Sequence, residues 1–478
     1  MNRNSQEGPT MTSKSKLLWA FVLSAIAVFM TALDNLVVTT ALPVIKRDLG
    51  GGIETLEWTV NAYTLVFTVL LLTGAALGDR FGRRRMFAVG MGLFTLGSAA
   101  AALAPSIESL IAARALQGVG GAIVAPLTLT ILTAAVPADK RGLALGAWGG
   151  IGGLAIALGP LVGGAVTEGI SWQWIFWVNV PIGLVTIPLA ARKLSESHGP
   201  NDRLDLPGLA LAGLGLLGIV WALVRGNGAG WASAEVLGPA AGGLVALAAF
   251  VAWELRTPAP MLPMRFFRSR TFTAANVAAL AMYAGMFGVV FLVTQFLQLV
   301  MGYSPLEAGV RTLPWTVMPL LVNPVAGLLS DRIGGRPIMA FGLALDAVAF
   351  TWMASVVSPD TAYAELAPAM TLAGIGTAAF FAPVANVVMS AVRPEEQGQA
   401  SGATNAIREL GGVLGVAVLA AVFAGQGGYS APAEFVAGFQ PALTVGAAVV
   451  GGGALVTLLI PRRRAERSPA AEPVAQAA

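Results

Sequence analysis

The sequence contains no cysteine and a single histidine, and only 11% of its 478 residues are charged. Without cysteine there are no disulfides, thiolate metal sites or thiol nucleophiles. The histidine, His198, lies in a polar connection, SESHGPND, where one imidazole builds neither a metal centre nor a buried catalytic triad. No phosphate-binding loop of the form G-x-x-x-x-G-K-[ST] is present, nor any soluble stretch to hold one. These absences exclude most enzyme chemistry and ATP-driven work, and no metal or cofactor is expected. The net charge of +4 gives no indication of a nucleic-acid partner.

What is abundant is apolar side chain: 56% of the residues, with a mean hydropathy of +0.74. A soluble domain must keep its surface wetted, so this composition reads as an integral membrane protein. Windows long enough to cross a hydrocarbon core of ~30 Å recur fourteen times, at 18–41, 58–78, 86–105, 109–135, 142–167, 174–193, 207–225, 236–253, 273–300, 308–329, 337–357, 365–390, 398–424 and 441–460. No period-2 alternation suggests a barrel, so the expected fold is all-α. The polar start lacks a small-residue cleavage site, so the first window reads as an uncleaved anchor.

Basic residues orient the chain. Of the 29 Lys and Arg, 23 fall in the amino tail, the carboxyl tail and alternate loops. That asymmetry predicts an even number of spans with both termini in the cytoplasm. GAALGDRFGRRR (74–85) follows the second window and AGLLSDRIGGRP (326–337) the tenth. Both carry Asp-Arg-x-Gly at a predicted cytoplasmic turn, so the second half repeats the first in the same orientation, as in transporters whose site lies between two halves. An offset of eight helices leaves two inserted, which divides the chain into a cytoplasmic tail (1–17), a six-helix bundle (18–193), two inserted helices (207–253), a second six-helix bundle (273–460) and a second tail (461–478). The inserted pair contains no membrane-centre charge and reads as lipid-facing.

Within the first window, TALDNLVVTTALP (31–43) places Asp34 among apolar residues. A carboxylate there costs a few kcal/mol or more to insert. Either it binds and releases a proton or a cationic substrate in a water-lined cavity, or it is a structural acid held by polar neighbours. Arg114 cannot be neutralised and must find a carboxylate, carbonyls or water. Gln117 lies one turn on, on the same face.

Together these stretches resemble the major facilitator superfamily, and within it the fourteen-helix drug/proton antiporters of the EmrB/QacA type. The resemblance covers nearly the whole chain. GDRFGRRR is similar to the superfamily's loop signature, LIAARALQGVGGA (110–122) to its helix 4 motif, and GPLVGG (159–164) to the antiporter signature of helix 5. That signature also has Gly at 146, present here, and at 155, where this chain has Ala. TALDNLVVTTALP resembles the helix 1 signature of the fourteen-helix branch, and SWQWIFWVNVPIG (171–183) its helix 5–6 connection.

The resemblance implies a proton-coupled efflux antiporter of drugs or antibiotics in the bacterial cell membrane, working as a monomer by alternating access with no cofactor beyond the proton gradient. A dedicated exporter of one self-made antibiotic or metabolite is the alternative. Asp34, Arg114 and Gln117 are then expected to couple protons to substrate, although an arginine snorkelling to the interface is also open. Gly78, Asp79, Arg80, Gly82 and Arg83, with Asp331 and Arg332 of the second copy, would form a conformational latch, and their charges also set topology. Gly159, Pro160, Gly163 and Gly164 would form a hinge and seal, or a packing seam. Asn61, Tyr63, Tyr283, Phe287, Phe291, Gln295, Trp315 and Asn323 are candidates for a substrate pocket, with Trp58 as a further aromatic. Asp346, in FGLALDAVAF, is a possible second acid. Arg408 and Glu409 are left between gating and simple pairing.

Overall fold

The computed structural model describes residues 13–137, 141–198, 204–393 and 396–461. Lipid offers no hydrogen bonds to the backbone, so a chain this apolar satisfies its peptide groups within helices. No strand occurs among the described residues. The first half runs α1 (Ser13–Leu49), α2 (Ile53–Phe81), α3 (Arg83–Ala102), α4 (Ile107–Ala135), α5 (Arg141–Gly169), α6 (Trp174–Trp177) and α7 (Asn179–Lys193). Then come α8 (Leu206–Ala229) and α9 (Ala234–Glu254). The second half is α10 (Arg270–Leu299), α11 (Pro305–Arg311), α12 (Leu313–Thr316), α13 (Met318–Ile333), α14 (Gly335–Val356), α15 (Tyr363–Ser390), α16 (Gln397–Gln426) and α17 (Pro432–Thr457).

Among the described residues, twelve helical segments are long and apolar enough to cross a membrane, and the two parts of α2, bent by 52°, make a thirteenth. The remaining window, 142–167, falls on α5, several of whose side chains lie outside the described residues. Proline explains two of the interruptions. Pro181 has no N–H for the Trp177 carbonyl, and the sixth window divides into α6 and α7 there. Pro314 and Pro319 likewise accompany the breaks that divide the tenth window into α11, α12 and α13.

Small residues set the spacing around the first bundle's interior. A Cβ on Gly120 of α4 would stand 2.3 Å from the Phe94 nitrogen, and one on Gly97 of α3 would stand 2.7 Å from the Gln117 nitrogen. Such close approach is how helices associate in lipid, where the hydrophobic effect gives no drive. Leu96, Leu184, Leu244, Val325 and Phe341 point outward, as expected of lipid-facing positions.

The two halves meet at the end remote from the basic loops. One continuous apolar core there includes Val38, Leu42 and Ile45 of α1, Phe291 and Phe296 of α10, and Phe435 and Phe439 of α17. A separate cluster, including Phe87, Phe94 and Leu127, fills the first half toward the other end.

The inserted pair departs from the sequence expectation. α9 is largely outward-facing, with Leu237, Leu244 and Val245 exposed. α8, however, buries Val220 and Val224 against Leu65 of α2 and Val413 and Ala417 of α16. Asn227 donates to the Ala421 carbonyl, and Arg225 pairs with Glu54 of α2 at 3.0 Å. Thus α8 straddles the junction between the halves. The sequence of α8, which has no charge before Arg225 near its end, hid this, because a stripe facing protein and one facing lipid have the same composition.

Candidate functional site

Five elements bring polar side chains to one dry point inside the first half. Asp34 of α1 is 1% exposed and Arg114 of α4 is fully buried. The Arg114 Nη1 donates to Asp34 Oδ2 in a close ion pair. The same nitrogen donates to Gln117 Oε1 at 2.9 Å, and Nε donates to the Thr59 carbonyl of α2 at 3.3 Å. The other carboxylate oxygen, Asp34 Oδ1, accepts from Gln117 Nε2 at 3.2 Å and from Asn179 Nδ2 of α7 at 3.1 Å. Ser98 of α3 ties the amides together, accepting from Gln117 at 2.7 Å and Asn179 at 3.3 Å.

The guanidinium also packs on rings, 4.5 Å from the Tyr63 centroid and 5.7 Å from that of Phe176. Asp34 and Arg114 are therefore a fully partnered pair in a closed interior, with no snorkelling arginine. In this conformation Asp34 is shut off from bulk solvent. Arithmetic on the charges states what the arrangement can do. With Asp34 ionised, the pair sums to zero and fits a dry site. A proton on Asp34 would leave the guanidinium uncompensated, and a lone buried charge favours opening to water.

Asn179 and Ser98 were not singled out from the sequence. Asn179 stands in the quoted WVNVPIG stretch as a polar residue among apolar ones, a signal of the same kind as Asp34. The chain break at Pro181 sets it at the start of α7, facing α1. Ser98 carried no such signal, since serine is common in membrane helices.

The loop motif is a turn between α2 and α3. Asp79 accepts from Arg83 Nε at 3.0 Å and Nη2 at 2.9 Å. Gly82 has φ +101°, a backbone region that L side chains avoid, and Gly78 abuts Leu127. Arg80 is exposed beside Phe81. A partner that the sequence did not announce is Glu196, which accepts from the Arg84 and Arg85 backbone N–H groups at 2.9 and 3.3 Å and caps α3. In the second copy Gly334 has φ +90° and Arg332 is exposed. The side chain of Asp331 lies outside the described residues.

GPLVGG lies at the junction. Gly159 and Gly163 face α1, where a Cβ would stand 2.8 Å from Leu36 Cβ and 2.6 Å from the Val37 carbonyl. Gly164 faces the second half, with a Cβ 2.2 Å from the Pro305 carbonyl oxygen, and Gly309 of α11 returns the contact at 2.3 Å from that of Pro160. The N–H of Leu306 donates to Glu168 at 3.0 Å, and Gln298 donates to the Thr40 carbonyl at 2.8 Å. Beside this seam, burial and the nearby Glu57 carboxylate hold the Tyr429 phenol above its ordinary value. Tyr429 donates to Gln295 and lies under the Lys46 ammonium, 3.8 Å from the ring centroid.

The candidate pocket residues disperse. Phe287 and Trp315 line a narrow apolar slot between the halves, together with Leu36, Pro160, Met286 and Phe381. Tyr63 instead underlies Arg114, Phe291 is core, and Gln295 is engaged by Tyr429. Asn61 is buried with both amide atoms unpartnered, and Tyr283 is buried between Phe287 and Phe381. Asn323 is half-buried on α13, and Trp58 packs on Trp221 of α8. Composition could nominate these aromatics, but the direction each faces depends on helix rotation. Asp346 is buried between α14 and α15 and accepts from Thr377 Oγ1 at 3.4 Å. No group of His, Cys, Asp and Glu able to hold a metal occurs among the described residues.

A sequence model described as the Major Facilitator Superfamily matches residues 24–416, and matches again over 275–476. The chain belongs to the Major Facilitator Superfamily. Among its relatives in that superfamily, the cephamycin export protein CmcT of Amycolatopsis lactamdurans is 41% identical over 453 residues, covering 92% of this chain and 91% of that one. The multidrug efflux pump LfrA of Mycolicibacterium smegmatis is 34% identical over 95% of this chain and 90% of its own. The solved structure of a POT family transporter superposes with a TM-score of 0.68 at 14% identity, covering 93% of this chain and 95% of that one. The superfamily fold and a multi-span membrane location follow from these matches together with the apolar helices.

Proposed function

We propose that this protein is a proton-coupled efflux antiporter that exports amphipathic small molecules, drugs or antibiotics among them, by alternating access. The observation that carries the reading is the Asp34–Arg114 pair: a carboxyl group and a permanent cation, both buried, that sum to zero only while the acid is ionised. The full reading has fourteen spans, both termini in the cytoplasm and a monomeric working unit. With the basic loops inside, the glycine seam lies at the outer end, and the present conformation is closed outward. Proton uptake by Asp34 releases Arg114, and return of the proton restores the pair, so that one protonation cycle accompanies one rocking cycle. The gradient suffices to drive it, since one charge crossing 100 mV is worth about 2.3 kcal/mol. Names of relatives support efflux of antibiotics and drugs. A chain restricted to one self-made antibiotic is the second reading, favoured by a cephamycin export protein being 41% identical.

Uptake by inside-out vesicles tests the proposal. Ethidium and a panel of antibiotics are offered with and without an imposed pH gradient, acid inside. Accumulation that needs the gradient, and that Asp34→Asn abolishes, is expected. Equal accumulation without a gradient would overturn the coupling, and response to one compound alone would select the dedicated exporter.

A further inference from the structure

Arg408 lies within the apolar span Gln399–Gln426 of α16, yet it makes no direct ion pair, and Glu409 beside it in sequence acts on it only at longer range. Among the described residues no acidic oxygen comes within 4.0 Å of it, including that of its sequence neighbour Glu409. Three other helix arginines contrast with it: Arg114 has Asp34, Arg225 has Glu54 and Glu235, and Arg311 has Glu307 at 3.9 Å. A guanidinium remains charged in any protein setting and carries five N–H donors. Here Nη1 donates to Asn405 Oδ1 at 3.0 Å, while Nε is buried without a partner. An unpaired cation at this depth is unfavourable unless water or an anion meets it.

Its surroundings say what kind of anion. The guanidinium rests 4.5 Å from the Tyr283 centroid and 5.8 Å from that of Phe381. Tyr283 stacks on Phe287 at 5.9 Å and meets Phe381 edge-on at 5.5 Å, and its hydroxyl has no hydrogen-bond partner. Phe287 and Phe381 are also walls of the slot that Leu36, Met286 and Trp315 complete. The cation thus meets one ring of the slot, Phe381, and the free phenol packs on both Phe381 and Phe287.

We propose that Arg408 and Tyr283 form an anion subsite at the margin of this slot, and that the preferred substrate is an amphipathic carboxylate whose apolar body lies against Phe287 and Phe381. A carboxylate would accept from the free Arg408 donors and the Tyr283 hydroxyl, and it would supply the missing counter-charge. The inference rests on the small-molecule efflux reading and narrows its preferred substrates to anions.

Binding to the full chain in nanodiscs tests it without any gradient. The ligands are 1-pyrenebutyrate, its methyl ester and a pyrenebutyl trimethylammonium, followed by energy transfer from tryptophan. The acid is expected to bind more tightly than the ester by on the order of tenfold, the size of one charge-assisted hydrogen bond. Arg408→Gln should bring acid and ester to the same affinity, and Arg408→Lys should restore part of the difference. Tyr283→Phe should weaken the acid and leave the ester unchanged, a result that does not depend on the fold tolerating loss of the arginine. Equal binding of acid and ester by the parent protein, or tightest binding of the cation, would overturn the proposal. Gradient-driven export of the acid, unaffected by Arg408→Gln, would also overturn it while leaving efflux intact; loss of gradient coupling with acid selectivity preserved would do the reverse.

Discussion

Asp34 and Asn179, 145 positions apart, meet at 3.1 Å, and through Asp34 the start of α7 is joined to Arg114 of α4. The acid is thus held from both sides, by a cation and by an amide that also shares Ser98 with Gln117. This double hold separates the acid's two possible contributions, to stability and to coupling.

Removing one partner of a buried pair strands the other, and typically costs about 3–5 kcal/mol. Asp34→Asn should therefore lower the unfolding midpoint of the purified protein as well as abolish coupling. The double variant Asp34→Asn with Arg114→Gln should recover much of the midpoint without recovering gradient-driven uptake. Thermal unfolding in detergent beside vesicle transport checks both.

Bulk at the seam should hold the two halves apart at the end remote from the basic loops. Gly164→Leu and Gly309→Leu each drive a side chain into facing backbone that a Cβ alone would already approach at 2.2 and 2.3 Å. Both variants, with Pro160→Leu, are expected to insert normally but to lose export. Because the chain has no cysteine, a pair introduced as Glu168→Cys and Leu306→Cys can be bridged cleanly by a short bis-methanethiosulfonate, each thiolate displacing a methanesulfinate to form a reducible disulfide. Bridging should stop transport and reduction should restore it; free transport by the bridged protein would contradict a moving seam.

The two loop glycines allow a matched comparison. Gly82 and Gly334 share a positive φ, but a Cβ on Gly82 would strike the Glu196 carboxyl at 2.7 Å whereas one on Gly334 meets nothing within 4 Å. Backbone strain of this kind costs about 1–3 kcal/mol. Gly82→Ala should consequently slow transport and destabilise more than Gly334→Ala, as read from initial uptake rates and midpoints. Glu196→Gln, which keeps the shape but removes the charge that caps α3, should fall between them.

Asp346 has a hydroxyl partner and, among the described residues, no basic one. Its amide replacement strands no cation. Asp346→Asn is expected to leave gradient-driven uptake near the parental rate, in contrast to Asp34→Asn. A comparable loss of uptake would promote Asp346 to the coupling machinery.

The sequence determined that this chain lives in lipid, that it is helical, that its halves repeat and that Asp34, Arg114 and the glycine motifs stand apart. Each of these follows from local cost: an apolar run, an intramembrane charge or a glycine pattern is unfavourable or conspicuous wherever it lies. Which residues meet was decided only in three dimensions. Ser98, Glu196 and Gly309 carry no signal strong enough to rank them, and they, like the polar but unranked Asn179, acquire meaning from neighbours far along the chain. The aromatic pocket candidates dispersed for the same reason, since about 40° around the axis of one helix separates a slot wall such as Phe287 from a core ring such as Phe291. In lipid, composition assigns a helix to the membrane but leaves its rotation to close packing, and packing is a property of the assembled bundle.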